Sequence, residues 1–278
     1  MLELGKYRFD LTHRGLVMGI LNRTTDSFFD QGAHFEFEKF LVRSNELVVD
    51  GADILDVGGV KAGVGKEIGT QEEIERVVPA VAALAERFDV AISVDTWNFE
   101  VLRESIGVGA VLGNDISGFA DRRYLDVAGA SGAGVVATHI RLAPRIPDPN
   151  PVYGDLLGEV RNYLAQRISW ALDAGVSADS IIIDAGLDLG KTTDQSLDLL
   201  RHSDMFAAMG YPLLLSASNK DFLGSHLGLE LYDRGPASIS AALVAYLGGA
   251  RIFRVHNVKG TRRALEVCAE ISIRRKRP

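Results

Sequence analysis

Short apolar runs alternate with longer amphipathic ones along the whole chain. The short runs are Leu16–Leu21, Ala52–Val57, Val90–Val94, Ala110–Asn114, Gly134–His139, Ile181–Ala185, Pro212–Ala217 and Arg251–His256. They are rich in Val, Ile and Leu and mostly apolar at successive positions, as parallel strands covered on both faces are. The longer runs, Glu36–Asp50, Gln71–Arg87, Phe99–Ile106, Arg122–Ala130, Tyr153–Ala174, Asp194–Met209, Ala237–Gly248 and Thr261–Ile273, read as amphipathic helices. Thr70-Gln-Glu-Glu73 reads as a capping box. Gly51, Gly107, Gly175 and Gly210 sit just past helical patterns, where a left-handed residue ends the helix. Eight strands alternating with eight helices, with no linker and no composition break, predict one α/β domain over residues 1–278. The architecture expected is a (β/α)₈ TIM barrel, with a doubly wound open sheet as the rival. Leu11–Arg14 is expected to form a small lid under the barrel. Residues Arg141–Tyr153, with Pro144, Pro147, Pro149 and Pro151, form a stiff loop after the fifth strand.

Each predicted strand ends in polar residues. In order these are Asn22 and then Asp26; Asp56; Ser93-Val-Asp95-Thr96; Asn114-Asp115; Thr138-His139; Asp184; Ser216-Ala-Ser218-Asn219-Lys220; and Arg254-Val-His256-Asn257. In a barrel these ends converge on one mouth, where active sites lie. Any one tip, Thr96 or Ser117 for instance, has the simpler reading of a helix cap or turn; all of them together point to a site. Asp56, Asp95, Asn114 and Asp184 suit a flat polar ring with several N–H donors, because carboxylates accept such donors in pairs. Lys220, Arg254 and His256 come from the last two strands, where barrels often hold phosphate. Asn22 could complete an anion or metal–anion site beside them. The competing reading is that Arg254 or Lys220 pairs with a barrel carboxylate.

Composition adds exclusions. Of the 278 residues 47% are apolar and 24% charged, and the formal charge of −7 argues against a general nucleic-acid binder. Arg274–Arg277 is too short a basic run to change that and reads as a solvated tail. No apolar run is long enough to span a bilayer, and the first ten residues carry acids and no signal core, so a cytoplasmic protein is expected. Cys268 is the single cysteine, which rules out an intrachain disulfide and a multi-thiolate metal site. Gly186-Leu-Asp-Leu-Gly190-Lys191-Thr192 approaches a phosphate-binding P-loop, but Ala185 stands where the first glycine belongs. Gly63-Val-Gly65-Lys66 fails in the same way, with Val60 at the first glycine and Glu67 after the lysine.

Met18-Gly-Ile-Leu-Asn22-Arg-Thr-Thr-Asp26-Ser-Phe28, Asp56-Val-Gly-Gly59, Ser93-Val-Asp95-Thr96, Asn114-Asp115-Ile116-Ser117-Gly118, Asp184-Ala-Gly186, Ser218-Asn-Lys220 and Arg254-Val-His256 resemble, in order, the motifs of dihydropteroate synthase. The resemblance covers nearly the whole chain. It implies the joining of 6-hydroxymethyl-dihydropterin pyrophosphate to p-aminobenzoate, with release of pyrophosphate and competition by sulfonamides. By position, Asp95, Asn114, Asp184 and Lys220 would hold the pterin. Asn22, Arg254 and His256 would hold the pyrophosphate with Mg²⁺, Asn22 being the metal contact, and Asp95, Lys220 and Arg254 are the catalytic candidates. Asp56 joins the substrate-binding set, and a homodimer is implied.

The departures are concentrated in the loops. Where the family continues Glu-Ser-Thr-Arg-Pro-Gly, this chain has Val60-Lys61-Ala62-Gly63-Val64-Gly65. The first loop has Thr25 for Pro, and Asp30-Gln31-Gly32 for Asp-Gly-Gly. Asn219 replaces the arginine of Ser-Arg-Lys, and Asp-Pro-Gly-x-Gly-Phe has become Asp184-Ala185-Gly186-Leu187-Asp188-Leu189. The loop after His139 also departs from the family's His-Met-x-Gly. The expectation is a divergent paralogue with weak or absent synthase activity. The alternatives are an active synthase with unusual loops, or another pterin- or folate-dependent transferase, such as a methyl donor to a corrinoid partner.

Overall fold

A computed structural model describes residues 1–23, 33–60, 63, 65, 67–225 and 227–274; for residues 33–36, 273 and 274 it describes the backbone alone. The expectations for Thr25, Asp26, Asp30–Gly32, Lys61, Ala62, Val64, Lys66 and the basic tail past Arg274 lie outside the described residues. The chain opens with an antiparallel hairpin, β1 (Leu2–Leu4) and β2 (Tyr7–Phe9). Eight further strands follow: β3 (Leu16–Asn22), β4 (Ile54–Gly58), β5 (Ala91–Asp95), β6 (Leu112–Asp115), β7 (Gly134–Thr138), β8 (Ile181–Asp184), β9 (Leu213–Leu215) and β10 (Ile252–Val255). Every pairing among them is parallel, and β10 closes onto β3, which makes a barrel and excludes the open sheet.

The helices are α1 (Ala33–Val49), α2 (Thr70–Arg87), α3 (Phe99–Gly107), α4 (Arg123–Ser131), α5 (Leu156–Asp173), α6 (Thr193–Arg201), α7 (Ser203–Ala207), α8 (Asp221–Ser225), α9 (Arg234–Leu247) and α10 (Val258–Arg274). One expected helix, Asp194–Met209, is broken at His202, which ends α6 and begins α7. The short α8 had no counterpart in the sequence reading. Gly51, Gly175 and Gly210 take the positive φ expected of helix ends, but Gly107 is the last residue of α3 and Gly109, at φ 118°, makes the turn.

Strand residues alternate between two apolar layers. Leu16, Met18, Ile54, Ala91, Leu112, Val136, Ile182, Leu214 and Ile252 fill the barrel's lower interior together with Leu2 and Leu4 of the hairpin. The barrel bottom is therefore closed chiefly by the hairpin, and of the expected lid at Leu11–Arg14, Leu11 packs against the same layer. A hydrogen bond from Ser180 Oγ to the Glu3 carbonyl (2.8 Å) helps hold the hairpin in place. The intervening positions, such as Val17, Leu55, Val94, Val135 and Ile183, pack outward against the helices.

The Thr70–Glu73 capping box does not form. Gly69 caps α2 without a side chain, while Thr70 accepts from Asn98 Nδ2 (2.7 Å) and Glu73 from Thr96 Oγ1 (2.6 Å). Both side chains find stronger partners on the neighbouring βα unit. A reciprocal box forms instead at Thr192 and Gln195, at the start of α6.

Helices α4 and α5 meet where a side chain is missing. A Cβ on Gly129 would lie 1.9 Å from the carbonyl oxygen of Ala174, a backbone atom that cannot swing aside. Gly129→Ala should therefore destabilise the barrel by about 1–3 kcal/mol, read as a lowered urea midpoint at unchanged slope; an unchanged midpoint would refute this packing.

Candidate active site

The barrel register sets the polar strand ends at the mouth. Asn22 lies opposite Gly58, Gly58 opposite Asp95, and Asp95 opposite Asn114, while Thr138 lies opposite Asp184. Arg254 follows the inward-facing Ile252 by two residues and so points into the barrel. Its Nε donates to Asp56 Oδ2 and its Nη2 to Asp95 Oδ2, both at 2.6 Å. Because β3 separates β10 from β4, these bonds span the interior rather than link neighbouring strands. Asn114 Nδ2 also donates to Asp56 Oδ2, at 3.3 Å. Asp56 is wholly buried, and its second oxygen, Oδ1, has no protein partner; the same holds for the buried hydroxyls of Ser93 and Thr138. Buried polar groups are normally satisfied, so orphans at one mouth mark a place for a ligand or water.

On the opposite side, Asp184 Oδ1 accepts from the Gly186 amide (2.7 Å) and Lys220 Nζ donates to the Leu187 carbonyl (2.5 Å). His256 is exposed at the rim, its Nδ1 3.0 Å from Ser218 Oγ. Asn22 is exposed at the end of β3. The structure thus brings Asp56, Asp95, Asn114 and Arg254 into one bonded group. Lys220, His256 and Asn22 stand around the mouth, bonded elsewhere or at its rim, while Arg254 bonds to two carboxylates.

Charge balance follows from burial. One guanidinium serves two carboxylates. Burial pushes Asp95 up to about 7; Arg254 opposes this, but the negative charges of Asp56, Glu73 and Asp115 add to it. Burial likewise holds Asp115 at about 6, against hydrogen bonds from Ser117 and Phe119, and raises Asp184 against the pull of Lys220. Lys220 is lowered by burial. For Arg254 burial works against the charge, but Asp56 and Asp95 outweigh it and hold the guanidinium protonated. Although exposed at the rim, His256 is kept below its usual range by partial desolvation of its ring, with the charges of Arg254 and Arg43 adding to it.

The P-loop-like lysine has an internal role. Lys191 Nζ reaches the Gly186 and Leu189 carbonyls (2.7 and 3.0 Å) and His139 Nδ1 (2.8 Å). Burial brings Lys191 down to about 7 and His139 to about 3, so His139 is the neutral acceptor. Thr96 and Ser117 have the turn roles open to them, accepting from Asn98 N (3.1 Å) and Ala120 N (3.2 Å). Ser93 and Thr138 are among the polar strand ends expected at the mouth, and their orphan hydroxyls are consistent with that expectation. The sequence pattern did not single out Glu73, which sits next to the mouth from α2 and was absorbed by the capping-box reading.

The family described as pterin binding enzyme matches residues 18–256. A Mycobacterium leprae protein named inactive dihydropteroate synthase 2 is 42% identical over 264 residues, covering 93% of this chain and 91% of that one. The chain belongs to the dihydropteroate synthase family. The dihydropteroate synthase of Escherichia coli is 38% identical over 259 residues, covering 93% of this chain and 92% of its own. The solved dihydropteroate synthase of Yersinia pestis, in a sulfonamide drug complex, superposes with a TM-score of 0.91 at 35% identity, covering 99% of each chain.

Among the described residues, the family's loop after β4 is represented by Val60, Gly63 and Gly65. The Gly63 carbonyl accepts from Arg145 Nε (3.4 Å), contributed by the proline-rich loop after β7. No group of three or more His, Cys, Asp or Glu among the described residues could hold a metal, and none of their helices is long and apolar enough to cross a membrane.

Asp95 gives a pH signature. Its folded value, about 7, lies above the unfolded value of about 3.9. The native state therefore holds the proton more tightly, and this contribution to stability, complete below the unfolded value, is lost as pH rises through 7. In thermal melts at pH 5, 6.5 and 8 the Tm of the wild type minus that of Asp95→Asn should fall as pH rises; the difference cancels the opposite contributions of His139 and Lys191, whose lowered values make stability rise with pH. A difference that stays constant with pH would contradict the assignment.

Proposed function

We propose that the chain is a dihydropteroate synthase homologue that keeps the pterin and anion site at its barrel mouth but condenses 6-hydroxymethyl-dihydropterin pyrophosphate with p-aminobenzoate slowly or not at all. The observation that carries the binding half is the acid-rich mouth with an orphan acceptor, Asp56 Oδ1, next to Asn114 and Arg254. Such a group is complementary to a ring edge bearing several N–H donors. Asp95, Asn114, Asp184 and Lys220 would hold the ring, and Arg254 and His256 the pyrophosphate side.

The catalytic half is weakened where the loops have changed. In the reaction the C–O bond to pyrophosphate breaks with its electron pair leaving on pyrophosphate. The amine nitrogen bonds to the pterin methylene and then loses a proton. Positive charge gathers on the methylene in between, where Asp95 and Asp184 would stabilise it. Orientation of the amine falls to the loops, and the loop after β4 presents glycine at 63 and 65 rather than the family's arginine at the first of these. Loss of positioning groups removes several orders of magnitude in rate. The M. leprae relative's name, inactive dihydropteroate synthase 2, supports the same reading.

Mg²⁺ enters this reading only with pyrophosphate, whose charge it would neutralise. The described residues offer it the Asn22 amide oxygen, which fits an ion carried mainly by phosphate and water oxygens. Sulfonamide-type ligands are candidates by analogy with the Y. pestis complex. A homodimer is supported by the exposed apolar residues on α9 and α10: Val244, Leu247, Val267 and Ile271. A cytoplasmic location completes the reading.

Steady-state assay with pterin pyrophosphate, p-aminobenzoate and Mg²⁺ tests the catalytic half. Turnover should fall at least about 100-fold below the ~1 s⁻¹ at the lower end of ordinary enzymes; a rate of ~1 s⁻¹ or faster makes the chain a working synthase instead.

A further inference from the structure

The loop between β8 and α6 carries a carboxylate that the family pattern lacks. Asp188 stands where that pattern has glycine, and its backbone keeps the glycine-like conformation, with φ 65°. Positive φ is disfavoured for non-glycine residues, least for Asp and Asn. Strain retained in this way points to a contribution from the side chain.

Its contacts show what that contribution is. Asp188 Oδ2 accepts from the Phe222 amide in α8 (3.4 Å), and Oδ1 accepts from Ser196 Oγ in α6 (3.3 Å). One residue earlier, Leu187 O receives Lys220 Nζ (2.5 Å). Residues 187 and 188 are thus joined to residues 220 and 222 by two adjacent bonds. Lys220 is held on the protein's own backbone, with Asp184, Asp188 and Asp95 as favourable charges around it and Arg254 as the opposing one. Lys191, at the base of the same loop, faces Asp184 and Asp188 as well. Three carboxylates therefore act on Lys220, and with glycine at 188 two would remain.

We infer that Asp188 is a specificity-determining residue of this mouth: it adds a negative charge on the loop that holds Lys220 and latches that loop to α8, so that the mouth favours neutral heterocycles over oxyanions. This rests on the reading of the mouth as a ligand site, but the effect of that charge on Lys220 can be measured without any ligand.

Asp188→Asn removes the charge while keeping a hydrogen-bond acceptor and a residue that tolerates positive φ. Calorimetry would use two probes, inorganic pyrophosphate and the uncharged 6-hydroxymethylpterin. The variant should bind pyrophosphate about 5–10-fold more tightly, with the pterin within about twofold. In a Lys220→Met background Asp188→Asn should have no such effect on pyrophosphate. Equal changes for both probes, or the same gain in the Lys220→Met background, would overturn the inference. A ligand-free arm follows the Lys220 ammonium by NMR in both proteins. Without the Asp188 charge, which favours the ammonium, Lys220 should lose its proton at a lower pH. An unchanged titration overturns the inference whether or not either probe binds; a lowered titration with no probe binding would sink the ligand-site reading and, with it, the claimed selectivity.

Discussion

The guanidinium of Arg254 spans the barrel interior to hold Asp56 and Asp95 together, and the mouth is built around that bridge. It joins β10 to β4 and β5, sets the positions of two carboxylates, and leaves one oxygen of Asp56 without a partner. Burial pushes Asp95 toward its neutral form; Arg254 opposes this, and the nearby negative charges of Asp56, Glu73 and Asp115 add to it. Removing one partner of such a buried pair costs about 3–5 kcal/mol, so Arg254 underpins the fold as well as the site. A ligand offering N–H donors would supply what this arrangement lacks.

Catalysis needs more than this floor. The floor belongs to strands, whose ends are fixed by the closed hydrogen-bond register of the barrel. The groups that would orient an attacking amine belong to loops, and the loops are where the chain has diverged. Gly63 has no side chain to offer, and the Arg145 that reaches its carbonyl comes from another βα unit. Rigid strand positions can keep a binding site while loop substitutions remove rate, because affinity for the ring and orientation of the second substrate rest on different residues.

Much of this was legible in the sequence, for identifiable reasons. Apolar runs ending in Asp56, Asp95, Asn114 and Asp184 announce strands and their mouth, because the side-chain period and the chain direction are both local properties. The β1–β2 hairpin escaped because three-residue strands carry too little periodicity, though Leu2 and Leu4 plug the barrel. The break at His202 has no glycine or proline to mark it. The capping box at Thr70 was misread because Asn98 and Thr96, from the adjacent unit, compete for its side chains. The partners of Arg254 could not be assigned either: a bond spanning the barrel links residues nearly 200 positions apart, from Asp56 to Arg254.

In the proposed function the mouth recognises a pterin ring through its strand-end carboxylates. Calorimetric titration of 6-hydroxymethyl-dihydropterin pyrophosphate into the wild-type chain and into Asp184→Asn probes that recognition. Saturable wild-type binding is expected, on the order of micromolar, weakened at least about tenfold in the variant, or about 1.4 kcal/mol. Wild-type protein that fails to bind, or a variant that binds as tightly as the wild type, would contradict it.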